Sequence, residues 1–166
     1  MDQPLRLCFV CLGNICRSPT AEAIMRHRLR ERGLADRVVV ESAGTSDWHV
    51  GDAADRRAAE EARGRGITMD GCARQFTPAD FARYDLVLAM DHSNRADLLA
   101  IAPGEEAAAR VRLLREFDPA AADAGDLAVP DPYFGGPDGF VHVFDLVDAA
   151  CQGLIDHLEA RLSRSG

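Results

Sequence analysis

The stretch VCLGNICRS, residues 10–18, constrains this chain more than any other. It ends an apolar run, LRLCFVC (5–11), that suits a short strand buried on both faces. It leads into PTAEAIMRHRLRER (19–32), whose apolar residues recur at helical spacing, with Pro19 near the first turn and Gly33 as the stop. A strand, a tight polar turn and a helix in that order predict a loop at the carboxyl end of a strand. Open α/β sheets bind their ligands there.

The rest of the chain repeats the alternation. RVVVES (37–42) predicts a second strand that runs into the loop AGTSDWHVG, and residues 52–66 predict a helix closed by glycines. DLVLAM (85–90) predicts a third strand, followed by a polar helix start at DHSN and an amphipathic run to Ile101. ARVRLL (109–114) predicts a fourth strand, and the sequence from Phe140 onward a long last helix. Between them, residues 118–139 read as a Pro-, Gly- and Asp-rich loop long enough to be functional or mobile. The expected fold is α/β, a single domain over residues 1–166. It is an open sheet of about four parallel strands with helices on both faces and a phosphate-binding loop after the first strand.

The loop's residue types suit an anion. A turn that opens a helix leaves several backbone N–H groups without partners. Gly13 and Asn14 tolerate left-handed backbone angles, so those groups converge on one point and favour a phosphate-sized anion. Arg17 adds a planar fork for two phosphate oxygens. Cys11 lies at the base of the ring, where converging dipoles favour thiolate, and a thiolate under a phosphoryl group is an in-line nucleophile. Cys-x5-Arg alone is a weak pattern; its place between a strand and a helix makes it specific. Cys16, on the same loop, is either a packed residue of the cradle or a partner that forms a reversible disulfide with Cys11. The second reading is preferred, because it protects the nucleophile from over-oxidation.

Composition sets the outer limits. The net charge of −8 argues against a general nucleic-acid or anionic-membrane binder, so an anionic substrate has to be caught locally. All 19 basic residues are Arg, which reads as GC-rich codon usage. No apolar run approaches the roughly 20 residues of a membrane helix. The N-terminus lacks the layout of a signal peptide, so a cytoplasmic location is expected, with signal-less export left open. An odd count of five cysteines, and histidines without ligand spacing, predict no disulfide framework, no metal and no cofactor.

The oxygen that leaves when a thiolate takes a phosphoryl group departs more easily if an acid protonates it. Two Asp-Pro pairs offer one, Asp118 in REFDPAA and Asp131 in VPDPYFGG, and either could be a turn start. Asp131 is favoured because aromatic residues follow it. Trp48, the single Trp, falls in a loop, where it either caps the core or offers a flat face to a ligand.

VCLGNICRSPTAEA resembles the signature of the low-molecular-weight protein tyrosine phosphatases. The likeness continues through SAGTSDWHVG (42–51), ARQFTPADFARYDLVLAMDHSN (73–94) and DPYFG (131–135). It implies Cys11 as nucleophile, Arg17 as phosphate clamp and the N–H groups of residues 12 to 17, through Leu12, Gly13, Asn14, Ile15 and Cys16, as cradle. Ser18 would donate to the thiolate, Asn14 would hold the loop open and Ser42 would support it. Asp131, in the DPY position, would be general acid and then base. The resemblance favours the ligand-facing Trp48, which with Tyr133, Leu12 and Ile15 would wall a slot deep enough for phosphotyrosine and too deep for phosphoserine. Phe134 stands where many relatives carry a second Tyr. Related phosphatases acting on phosphoarginine carry Thr where Ile15 stands, which favours tyrosine here. The partner implied is a phosphotyrosine-containing protein. Separately, a monomer is expected, and the acidic net charge gives no expectation of nucleic acid or membrane as partner. One departure is Gly71, where many relatives place a His that braces the loop asparagine, so a brace from elsewhere or a less rigid loop is expected.

Two other readings compete. An arsenate reductase of the same fold needs two further resolving cysteines beyond the third helix, and only Cys72 lies in that region. A phosphate or phosphopeptide binding module would keep the cradle without turnover, but pure binding has no use for Asp131.

Overall fold

A computed structural model describes residues 3–133 and 135–165. In chain order the elements are β1 (Leu5–Cys11), α1 (Arg17–Glu31), β2 (Val38–Gly44), α2 (Arg56–Gly64), a 3-10 helix (Pro78–Arg83), β3 (Leu86–Ala89), α3 (His92–Ile101), α4 (Glu105–Ala109), β4 (Val111–Leu113), a second 3-10 helix (Leu114–Phe117), α5 (Pro119–Ala124) and α6 (Pro137–Ser165). The four strands form one parallel sheet in the order β2-β1-β3-β4.

The strand period explains the layers. Successive side chains of β1 point to opposite faces. Leu7, Phe9 and Cys11 join Ile24 and Met25 of α1 and Phe144, Val147, Leu154 and Leu158 of α6 in one core. Cys8 and Val10 join Val87 and Ala89 of β3, Leu98 of α3, and Phe76, Phe81 and Tyr84 in a second core on the other face. From Leu7 to Cys11, β1 is covered on both sides, which is why that part of its sequence is unbroken in apolar residues.

The connections place the site. The step β1–α1–β2 moves to one side of β1, and the chain then returns to lay β3 on the other side, pairing Val10 with Ala89. The strand order therefore reverses at the carboxyl ends of β1 and β3, where a crevice opens.

Some boundaries differ from the sequence reading. α2 starts at Arg56 rather than at residue 52, because the Asp55 carboxylate accepts from Arg57 N–H at 2.9 Å and caps the helix there. The stretch expected as a bare loop from 118 to 139 holds α5 and the first turn of α6. Asp118 caps α5, its side chain accepting from Ala120 N–H at 3.1 Å, and Gly125 ends it in the left-handed region. Among the described residues, no helix is long and apolar enough to cross a membrane.

Candidate active site

α1 begins without a side-chain cap on its N-terminal amides and without an acidic residue in its first turn. The Ser18 N–H turns to the Cys11 sulfur, while the Arg17 N–H and the positive end of the helix dipole remain available to a bound anion. Asn14 is the one described residue other than glycine with a left-handed φ, at 57°, and this bend folds the loop back over the end of β1. The close approach also needs Gly44 at the end of β2. A Cβ there would lie 2.7 Å from the Leu12 carbonyl oxygen and 3.2 Å from the Asn14 nitrogen.

Cys11 ends β1 almost fully buried, with its sulfur facing Ser18. Ser18 N–H reaches Sγ at 3.4 Å and Ser18 Oγ lies 3.0 Å from it. Asn14 Nδ2 donates to Ser18 Oγ at 2.7 Å, which leaves the hydroxyl proton for Sγ or for the Ala43 carbonyl at 3.3 Å. The same Nδ2 donates to Ser42 Oγ at 3.0 Å, and Ser42 donates to Glu22 at 2.5 Å. Burial pushes the Glu22 carboxyl up, against the Ser42 hydrogen bond and the Arg26 charge that lower it. Asn14 Oδ1 accepts from Arg74 N–H at 3.1 Å. Asn14 is thus held on three sides without any contribution from position 71, where Gly71 sits exposed at φ +89° with open space around it. Burial first, then the charges of Asp55 and Cys11, push the Cys16 thiol up to about 12, so it rests protonated.

Arg17 is buried to 3% exposure beneath the cleft. Its Nη1 donates to Asp91 Oδ2 at 2.6 Å and to the Val129 carbonyl at 3.0 Å, while Nη2 lies 3.7 Å from Asp131 Oδ2. Asp91 serves two elements, since its Oδ1 accepts from Asn94 N–H and caps α3. The cleft holds about 150 Å³ and is lined by Cys11, Leu12, Gly13, Ile15, Cys16, Arg17, Trp48, His49, Asp131 and Tyr133. Trp48 is 72% exposed at the mouth, so it does not cap the core.

Known proteins share this chain's sequence pattern and fold. Residues 6–164 match the family described as low molecular weight phosphotyrosine protein phosphatase. The chain belongs to the low-molecular-weight protein tyrosine phosphatase family. It is 51% identical over 150 residues to a low molecular weight protein-tyrosine-phosphatase of Streptomyces coelicolor, covering 90% of this chain and 91% of the relative. It is 47% identical over 166 residues to low molecular weight protein-tyrosine phosphatase A of Mycobacterium tuberculosis, covering 100% of this chain and 99% of that one. Among solved structures, a protein tyrosine phosphatase from Entamoeba histolytica with Hepes in the active site superposes with a TM-score of 0.89 at 38% identity. The match covers 94% of this chain and 97% of that one.

In this family member the fold gathers most of the residues singled out from sequence. Cys11, Leu12, Gly13, Ile15, Cys16, Arg17, Trp48, Asp131 and Tyr133 meet in one cleft, with Asn14, Ser18 and Ser42 directly behind the loop. Phe134 lies outside the described residues. Asp118, the competing carboxylate, is committed to capping α5. Sequence reasoning missed three participants. Asp91 was read only as a helix start, though a carboxylate just past a strand that neighbours β1 is placed to meet an arginine at the same sheet end. His49 lines the cleft with its Nδ1 3.2 Å from Asp52, and nothing in the loop sequence marked it. Glu22 sits on a helix whose inward face became clear only after folding.

Proposed function

We propose that the chain hydrolyses phosphotyrosine in proteins through a phosphocysteine intermediate, the whole chain acting as one monomeric phosphatase domain. The Cys11 thiolate attacks phosphorus, the P–O bond to the tyrosyl oxygen breaks, and Asp131 gives that oxygen its proton. Water then attacks the phosphocysteine and passes a proton to Asp131. The P–S bond breaks and inorganic phosphate leaves with Cys11 restored as thiolate. Arg17 and the N–H groups of residues 12 to 17 hold the three phosphoryl oxygens and stabilise charge as it develops on them. Ser18 steadies the thiolate as donor, Asn14 and Ser42 keep the loop open, and Leu12, Ile15, Trp48 and Tyr133 receive the aryl ring. When peroxide oxidises Cys11 to the sulfenic acid, the Cys16 thiol displaces water from it to form a disulfide, which a thiol reductant reopens.

One observation carries this reading. The sulfur of Cys11, the Arg17 guanidinium and the Asp131 carboxylate share one small apolar-walled cleft, with the uncapped end of α1 beside them. The test is hydrolysis of p-nitrophenyl phosphate in chelator at mildly acidic pH by reduced protein and by Cys11→Ser. Metal-independent turnover is expected in the first, and a loss of at least about a thousandfold in the second. An intact protein that binds phosphate without turnover would favour the binding-module reading instead.

A further inference from the structure

Arg57 performs none of the steps above, yet it joins the two halves of the site. Its Nε and Nη2 donate to the two oxygens of Asp55, each at 3.1 Å, so the guanidinium is held as a fork. Asp55 N–H in turn donates to the Ile15 carbonyl at 2.7 Å, which ties this end to the phosphate-binding loop. At the other end Arg57 Nη2 donates to the Tyr133 carbonyl at 2.9 Å. The guanidinium carbon lies 5.7 Å from the centre of the Tyr133 ring and 4.6 Å from that of Phe140, in the first turn of α6. Tyr133 N–H donates to Asp131 Oδ1 at 3.0 Å. A continuous path of hydrogen bonds therefore runs from Ile15 through Asp55, Arg57 and Tyr133 to the Asp131 carboxylate.

The acid needs such a support. Residues 126–132 form neither helix nor strand, and the Asp131 side chain is 44% exposed. A carboxylic acid delivers its proton only within hydrogen-bond reach of the departing oxygen, so an exposed loop that wanders by an ångström loses most of that contribution. We propose that Arg57 is a positioning residue that latches the Asp131 loop to the phosphate-binding loop and so sets the acid over the leaving oxygen. The proposal rests on the reading of Asp131 as general acid. Burial alone would raise the Asp55 carboxyl, but hydrogen bonds from Arg57 hold it below the usual range, so the fork persists in mild acid.

A latch on the acid makes a prediction that a general structural role does not. Phosphotyrosine needs a proton on its leaving oxygen, whereas 2,4-dinitrophenyl phosphate expels a stable phenolate without one. In Arg57→Met, kcat/KM for phosphotyrosine should fall about tenfold while that for dinitrophenyl phosphate falls less than about twofold. Because the two substrates report on the same folded molecules, partial unfolding lowers both equally and leaves their ratio unchanged. Arg57→Lys, which keeps the charge but loses the fork, should recover only part of the loss. Equal losses on both substrates, or no loss on either, would overturn the latch. Asp131→Asn run in parallel separates the two ideas. Selective loss there with unselective behaviour in Arg57→Met removes the latch alone, and unselective loss in Asp131→Asn removes the acid assignment itself.

Discussion

At the scale of single residues, Gly44 shows how little room the loop has. It belongs to β2, ends that strand opposite Cys11, and leaves no space for a methyl group against the Leu12 carbonyl. Gly44→Ala should push residues 12–14 out of place. A shift of about 1 Å in a phosphate cradle is enough to lower kcat/KM roughly a hundredfold, with a smaller effect on the melting temperature. Steady-state kinetics beside a thermal melt checks this, and unchanged kinetics would mean the strand moves instead of the loop. The glycine inside the loop, Gly13, is easy to notice in sequence because it stands directly before Asn14. Gly44 is not, since its constraint comes from a backbone that approaches it from more than 30 residues away in the chain.

At the scale of elements, the decisive contact is between α6 and the turn that follows β4. Gly153 lies in the middle of α6, where glycine lowers helix propensity, yet a Cβ there would collide with the Phe117 carbonyl. The helix accepts the weaker residue so that the Leu114–Phe117 turn can lie against its backbone. Gly153→Ala should therefore cost about 3 kcal/mol despite its better propensity, read from denaturant unfolding. A stabilised variant would show that the turn relaxes freely. The same elements show where sequence reading fell short. The long α6 and the four strands were legible because their apolar periodicity is strong. α4 and α5 were not, being single turns or little more whose formation depends on local caps such as Asp118 rather than on a buried stripe.

At the scale of the whole molecule, acid stability follows from carboxylates tied to arginine across elements. Arg28 of α1 grips Asp148 of α6 through two hydrogen bonds of 2.8 and 2.7 Å. These hold the Asp148 carboxyl below its usual range against the opposing effect of burial. A depressed carboxylate contributes stability that is fully present above its unfolded pKa, about 3.9, and is lost as pH falls through the lower folded value. Asp148→Asn should thus be less stable than the parent by about 1 kcal/mol near neutrality, and the gap should close below about pH 4. Unfolding curves across that range decide it, and a gap that stays constant into acid would show that the pair contributes nothing through its charge. By itself, the sequence determined the alternation of strand and helix, the phosphate-binding loop and the pairing of Cys11 with Arg17. All of these are set within one continuous stretch, by hydrophobic period and by the spacing of neighbouring residues. Only the tertiary structure placed Asp131 in the cleft and Asp118 at the cap of α5, turned Trp48 to the mouth of the cleft, and brought Asp91, His49 and Arg57 to the site. These residues are tens of positions apart, and what makes them neighbours is the reversal of strand order at β1 and β3.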